Sequence, residues 1–215
     1  MKKEPLVLCL TNTVAANFTA NCLLAIGAKP AMIEEPSEAA ELAAVADAML
    51  VNVGTATASQ ATAMREAVRV ACRRSLPWVL DPVGIQHLSF RRELVRELLE
   101  QKPSLVRCNR AELAALPPAA SVILATGETD EIREPGRPPS AVGGGVPMLR
   151  TVTATGCAQG GLCAAFLGRG LSPIESALTG SRLMKQAGEA AWRRAQAPGG
   201  FQAALLDALW ELSHD

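Results

Sequence analysis

The sequence predicts an α/β fold: a mostly parallel central sheet with helices on both faces and a few antiparallel strands at one edge. Three observations predict it. Short apolar runs alternate with helix-patterned stretches along most of the chain. The polar residues that interrupt this rhythm recur directly after the apolar runs, where parallel strands would present their carboxyl ends. The 215 residues are 49 % hydrophobic, ample for one core, and no linker is long enough to set off a second unit, so a single domain over 1–215 is expected.

The elements follow in order. Leu6–Leu10 is a short apolar run, and Asn12–Ile26 carries apolar residues at helical spacing with Gly27 as its stop. Ala31–Ile33 reads as a short strand, after which Ser37 is expected to cap an Ala-rich helix through Ala46. Met49–Val53 is a buried strand ending in Gly54 and Thr55. Ser59–Arg74 is an amphipathic helix with Met64, Ala67, Val68 and Ala71 on one face. Trp78–Leu80 closes on Asp81, Pro82, Val83 and Gly84, and a helix follows over Phe90–Leu99. Ser104–Arg107 leads to Asn109 and Glu112, and Val122–Ala125 runs into Thr126 and Gly127. Thr129–Arg150, with its prolines and the run Gly143–Gly145, breaks the rhythm and predicts loops with short antiparallel edge strands. Helices are then expected over Leu162–Leu167, over Pro173–Arg194 with Pro173 near its first turn, and over Phe201–Leu212.

Composition excludes several classes. Lys plus Arg equals Asp plus Glu at 21 each, so no electrostatic footprint for nucleic acid or an anionic membrane is visible. No apolar run reaches the roughly 18 residues that span a bilayer, and the opening MKKEPLVLCL is too short for a signal-peptide core. The six cysteines lie far apart without a Cys-x-x-Cys pair, which argues against zinc and for free thiols in the cytoplasm. With His87 and His214 the only histidines, a histidine-dependent hydrolase has little to work with.

The stretch Val152–Gly161, VTATGCAQGG, carries the most chemistry. Small residues run into an apolar helical segment, and the backbone N–H groups of a first helical turn have no partners inside the helix. With the helix dipole they form a ready site for an anion, which small residues let approach closely. Cys157 falls in that turn, where a thiol's pKa is expected to fall. By itself the stretch reads equally as a turn before a core helix with a buried cysteine. Asp81 before Pro82 reads by itself as a turn start. Asn12, Gly54–Thr55, Asp81, Arg107–Asn109 and Thr126–Gly127 together line one rim, however, and that rim favours a phosphate or nucleotide site.

The segments PLVLCLTNTVAANFTANCLLAIGAKPAM, LVNVGTATASQATAM, VLDPVG, VRCNRAEL, ATGETD, VTATGC and PGGFQAALLDAL resemble, in order, those of the hydroxyethylthiazole kinases, a ribokinase-like family of thiamine salvage. The resemblance covers most of the chain. It implies transfer of a phosphoryl group from ATP, with Mg²⁺, to the primary alcohol of 4-methyl-5-(2-hydroxyethyl)thiazole. It also implies a homotrimer with substrate pockets at subunit boundaries.

Carried over to this sequence, the resemblance places Asn12, Val14, Met32, Gly54, Thr55 and Ala154 at the thiazole, although Met32 taken by itself reads as ordinary core. It places Arg107, Thr126, Gly127, Thr155 and Gly156 at ATP, and Asp81 and Glu112 at Mg²⁺, directly or through water. Glu112 by itself reads as a solvated helix carboxylate. The backbone of Thr155–Cys157 would stabilise the transferring phosphoryl group, and Cys157 would orient the substrate hydroxyl and accept its proton.

Four departures stand out. Ala154 replaces the first glycine of the family's Gly-x-Gly-Cys, which is costly if that position needs positive φ. Leu8 stands where the family's first strand has histidine, and Ile85, Gln86 and His87 replace a glycine-rich continuation after DPVG. Only Leu113–Ala120 connects the Asn-x-x-Glu motif to the next strand, below the roughly 10–12 residues of a normal parallel crossover, so its helix must be stunted or absent. Ala154 and the short crossover motivate one alternative, a kinase-derived protein that binds thiazole or nucleotide with little turnover; a related small-alcohol kinase, such as one acting on a pyrimidine, is another, since fold alone does not set substrate.

Overall fold

The alternation of apolar residues along each strand sends successive side chains to opposite faces, and the structure fills both. In a computed structural model, which describes residues 4–214, eight strands form one sheet in the order β2-β1-β3-β4-β5-β6-β7-β8. The lysines of the opening MKKEPLVLCL lie outside the described residues. The strands are β1 (Leu6–Leu10), β2 (Lys29–Met32), β3 (Ala48–Asn52), β4 (Trp78–Asp81), β5 (Leu105–Asn109), β6 (Val122–Thr126), β7 (Asp130–Arg133) and β8 (Ser140–Val142). The first six are parallel, and β7 and β8 add to the edge antiparallel, as the sequence predicts.

Helices α1 (Ala16–Ala25), α6 (Thr155–Gly168), α7 (Pro173–Arg194) and α8 (Pro198–His214) cover one face, packing on Val7, Cys9, Leu50, Val79, Leu105 and Leu124. Helices α2 (Pro36–Ala43), α3 (Ala58–Arg74) and α4 (Ser89–Glu100) cover the other, on Leu8, Met49, Val51, Trp78, Leu80 and Val106. Leu8 is fully buried on that second face, so it contributes to the core there.

Several boundaries differ from the sequence reading. Pro36 occupies the first helical position of α2 and Glu35 is its N-cap, so Ser37 lies inside the helix. Proline's fixed φ suits the first turn. Thr57 caps α3 through a reciprocal pair with Gln60. Helix α6 runs from Thr155 to Gly168, longer than its apolar core suggests, and twelve of its residues are buried. A helix apolar all round belongs in the interior.

The crossover between β5 and β6 is indeed short: α5 (Arg110–Ala115) is a six-residue helix. The sheet face beside it is not left apolar. On β7, Glu131 and Arg133 stand opposite Ala125 and Ile123, and the Arg133 Nε donates to Glu131 Oε1 at 2.6 Å. The loop after DPVG is held by its own contacts. Ile85 is fully buried, Arg91 donates to the Val83 carbonyl, and Arg92 donates to the carbonyls of Ile85 and Gln86.

Candidate active site

Three neighbouring parallel strands end in polar residues on the face that carries α6: Asn52 on β3, Asp81 on β4 and Arg107 on β5. All three are buried, Asn52 and Asp81 fully. Each sits two residues past an apolar residue of the same face, Leu50, Val79 and Leu105, so the strand period itself aims them at α6.

A chain of hydrogen bonds links them to the cysteine. Asn52 Nδ2 donates to Asp81 Oδ2 at 2.7 Å. Asn52 Oδ1 accepts from Asn12 Nδ2 at 3.0 Å and from the Gly54 N–H at 2.9 Å. Asn12 Nδ2 also donates to Cys157 Sγ at 3.3 Å, while Asn12 Oδ1 accepts from the Ala15 N–H at 2.9 Å. Gly54 stays side-chain-free because a Cβ there would stand 3.0 Å from Asn12 and Asn52.

Arg107 lies across the start of α6. Its Nη2 donates to Thr126 Oγ1 at 2.7 Å, its Nη1 is 3.5 Å from Asp81 Oδ1, and its Nε, although buried, has no partner. Thr126 Oγ1 in turn donates to the Cys108 carbonyl at 3.2 Å. A Cβ on Gly156 would sit 2.7 Å from the guanidinium carbon, so glycine is needed there to admit this side chain.

No side chain caps the first turn of α6, which leaves the N–H groups of Thr155, Gly156 and Cys157 without partners inside the helix. The Thr155 hydroxyl donates its one proton to the Leu149 carbonyl at 2.6 Å, with the Val152 carbonyl also within 3.3 Å, so it meets a ligand only as an acceptor. Ala154, the N-cap, has φ +70°, the left-handed region where an L side chain is strained. The position that the sequence reading flagged does require positive φ, and this chain places alanine there.

Arg107, Thr126, Gly127, Ala154, Thr155 and Gly156 help line a cleft of about 420 Å³, and Cys157 follows them in the first turn of α6. The cleft is of ligand size. Glu112 is 3 % exposed, not solvated as its helical position suggested. Its Oε1 accepts from the Gly84 N–H at 3.1 Å and its Oε2 from the Asn109 N–H at 2.8 Å, closing a capping box on α5 and tying it to the DPVG loop.

The electrostatics correct one expectation. Burial pushes the Cys157 thiol up to about 11, with Asp81 adding to the rise; Arg107 and the hydrogen bonds from Asn12 and Asn52 oppose it without prevailing. Desolvation outweighs the helix N-terminus, so the pKa does not fall and the sulfur stays a thiol at neutral pH. Burial likewise raises Asp81 to about 6, against the pull of the Arg107 guanidinium.

Two predicted thiazole residues, both apolar, take no part in this hydrogen-bonded cluster. Val14 is 61 % exposed. Met32 is partly buried against the core under α1. Thr55, exposed and with φ +49°, accepts from the Thr13 N–H through its hydroxyl and borders a separate opening of about 370 Å³ with Thr13 and Glu34.

Sequence reasoning missed Asn52, which closes an otherwise apolar run and reads as strand. It also missed Asp130, in a stretch without period. Asp130 Oδ1 accepts from the Gly127 N–H at 3.0 Å, and Oδ2 accepts from Gln159 of α6 and Ser181 of α7. The signal available for both was a polar residue at a strand end in line with the others.

The sequence profile of the hydroxyethylthiazole kinase family matches residues 1–121 and 118–215, which together span the whole chain. The chain belongs to the hydroxyethylthiazole kinase family. It is 40 % identical to an Escherichia coli hydroxyethylthiazole kinase over 241 aligned positions, covering all of this chain and 92 % of the relative. Those positions outnumber the 215 residues here, and the two profile matches meet at 118–121, in the shortened crossover. The structure of a hydroxyethylthiazole kinase from Pyrococcus horikoshii superposes with a TM-score of 0.93 at 31 % identity, over 97 % of this chain and 88 % of that one. A ribokinase-like superfamily protein from Enterococcus faecalis superposes with a TM-score of 0.60 at 15 % identity over 98 % and 88 %, which establishes the ribokinase-like fold alone.

Proposed function

We propose that this chain, as a single ribokinase-like domain over residues 1–215, transfers the γ-phosphoryl group of ATP to the primary hydroxyl of 4-methyl-5-(2-hydroxyethyl)thiazole in thiamine salvage. The observation that carries the reading is the convergence of Cys157, through Asn12 and Asn52, with Asp81 beside the uncapped first turn of α6. Whole-length family membership supports it over the binding-protein and pyrimidine-kinase alternatives.

The N–H groups of Thr155, Gly156 and Cys157 face the transferring phosphoryl group, supplying fixed donors where charge gathers. Arg107 and Thr126 hold the nucleotide phosphates, and Gly127 lets its backbone approach them. Asn12, Gly54, Thr55 and Ala154 border the alcohol, with Val14 and Met32 contributing apolar surface. Cys157 orients the hydroxyl. Because the sulfur is already protonated, the hydroxyl proton passes to the phosphoryl oxygens, which a loose transition state allows.

The residues present fit Mg²⁺. Asp81 Oδ1 is buried and makes no hydrogen bond, its charge partner being Arg107 Nη1 at 3.5 Å, so it keeps lone pairs that a cation can use, and Glu112 adds a second buried carboxylate through its remaining lone pairs. One or two carboxylates are the usual protein share of a Mg²⁺ site. Mg²⁺ held there would neutralise phosphate charge during transfer.

The same reading includes a homotrimer with the thiazole pocket completed at subunit boundaries. Its support is Val14, 61 % exposed and apolar in the turn before α1, a surface that a neighbouring subunit would cover. It also includes a cytoplasmic location, supported by six free cysteines. Among the described residues no helix is long and apolar enough to cross a membrane.

A coupled assay for ADP release tests the activity. ADP formation that depends on the thiazole alcohol is expected. Nucleotide binding without thiazole-dependent ADP would overturn the reading, and preferential turnover of a pyrimidine alcohol would replace its substrate.

A further inference from the structure

Lys185 lies in the middle of α7 and is 6 % exposed. A lysine is almost never this buried without partners, and those around it are unusual. Its Nζ donates to the carbonyls of Glu128 at 3.0 Å, Gly144 at 3.2 Å and Gly127 at 3.3 Å, and stands 3.4 Å from Asp130 Oδ1. Three backbone carbonyls and a carboxylate surround one ammonium.

Those carbonyls come from two separate loops. Gly127 and Glu128 form the turn between β6 and β7; Gly144 belongs to the glycine run after β8. One turn further along α7, Glu189 Oε1 accepts from the Gly145 N–H at 2.7 Å, so the helix holds the glycine run by its carbonyl and by its N–H. Gly144 and Gly145 have φ of +88° and +82°, and a Cβ on Gly145 would stand 3.2 Å from Lys185 Cγ. The loop's conformation and its closeness to α7 both call for glycine.

The two loops bound a pocket of about 120 Å³ that adjoins the active-site cleft. It shares Gly127, Leu149, Arg150 and Lys185 with that cleft and includes none of the first-turn residues of α6. It therefore extends the cleft at the end away from the phosphoryl-transfer point.

We propose that Lys185, assisted by Glu189, is a positioning residue for the nucleotide: its ammonium is a fixed internal cation around which the Gly127–Glu128 turn and the Gly144–Gly145 loop close, shaping the far end of the nucleotide cleft. Charge pairing with Asp130 does not account for this arrangement. Asp130 is already served by Gly127, Gln159 and Ser181, and the three carbonyls gathered on Nζ belong to pocket walls rather than to the core. Without the cation, three carbonyls and a carboxylate would face one another unscreened, and the walls would part.

The inference rests on the reading of this cleft as the ATP site, and its test separates the two. Calorimetric titration with magnesium AMP-PCP is carried out on the wild type, Lys185→Met, Lys185→Ala and Glu189→Ala, each checked for folding by circular dichroism. Lys185→Met is expected to bind AMP-PCP roughly tenfold or more weakly, the scale of lost charge-assisted hydrogen bonds, with the KM for the thiazole alcohol within about twofold of wild type. Propylammonium is expected to restore part of the affinity in Lys185→Ala, and Glu189→Ala to weaken binding by a smaller factor. Unchanged AMP-PCP affinity in folded Lys185→Met, or equal weakening toward both substrates, would overturn the positioning role. Should neither Lys185 variant fold, wild-type affinity in Glu189→Ala would overturn it instead. A wild type that fails to bind AMP-PCP would overturn the function and the role together.

Discussion

Asn52 Nδ2 and Asp81 Oδ2 are 2.7 Å apart, and neither residue has any solvent exposure. An ionised carboxylate only accepts hydrogen bonds, so Asp81 fixes which end of the Asn52 amide faces it. Asn52 thereby presents its oxygen to Asn12 and Gly54, and Asn12 must turn its own nitrogen toward Asn52 and Cys157. The orientation of a carboxylate on β4 is thus passed through two amides to a sulfur on α6.

Asn52→Leu keeps the approximate volume and removes the links to Asp81, Asn12 and Gly54, leaving the Asn12–Cys157 contact without its anchor. It leaves Asp81 Oδ2, the Gly54 N–H and one Asn12 N–H without partners. Since each orphaned buried group costs roughly 1–3 kcal/mol, a loss of about 2 kcal/mol or more is expected in urea denaturation. Turnover should fall at least roughly tenfold, because Asn12, the neighbour of Cys157, is no longer held in place from β3. Wild-type kcat in a folded Asn52→Leu protein would show that the relay does not matter to catalysis.

Asp81 gives the ligand-free protein a definite pH dependence. Its folded pKa of about 6 exceeds the roughly 3.9 of an unfolded chain, so the folded state binds more protons between these values. The Asp81 contribution to stability is therefore full below about pH 4 and lost as pH rises through about 6. Asp81→Asn removes this dependence and should abolish phosphoryl transfer. Melting temperatures measured from pH 4 to pH 8 should show the variant gaining on the wild type as pH rises; parallel curves would contradict the assignment.

Cys157→Ala is expected to lower kcat by roughly 10²-fold, the lower end of what a positioned group supplies, and to leave the KM for ATP nearly unchanged. With the thiol pushed up to about 11, the wild-type kcat should be flat from pH 7 to pH 9. Iodoacetamide should modify exposed Cys72 well before Cys157. A rise in kcat following a single ionisation near pH 8 would reinstate the thiolate as a base.

Ala154→Gly should stabilise the fold. Alanine at φ +70° carries a steric cost of about 1–2 kcal/mol that glycine avoids, less glycine's greater freedom when unfolded. A net gain near 1 kcal/mol would raise the melting temperature by about 2–4 °C in a chain of this size. A lower melting temperature would mean that the Ala154 methyl packs too well against the core to be spared.

The rhythm of strands and helices was legible because burial on both sheet faces demands it of the chain: β1, β3 and α7 fall where the apolar periods put them. Boundaries were less legible where two residues competed for one role. Ser37 looked like a cap, but Pro36 takes the first helical position and Glu35 the cap. The full length of α6 was hidden by small residues whose helical state depends on being enclosed. Most of the phosphate-side residues were legible as a rim, whereas Asn52 was concealed within a strand and Lys185 within a helix that already explained it.

Local pattern determined that this chain forms a largely parallel sheet with polar residues at the strand ends and an uncapped, glycine-containing helix start beside a cysteine, because side-chain period and backbone hydrogen bonding act over a few residues. Only the tertiary structure decided that the cysteine remains a thiol, that Glu112 is buried in a capping box, and that Lys185 gathers two loops. Those outcomes depend on which groups lose water and what charges they then face, and these are set by segments far apart in the chain.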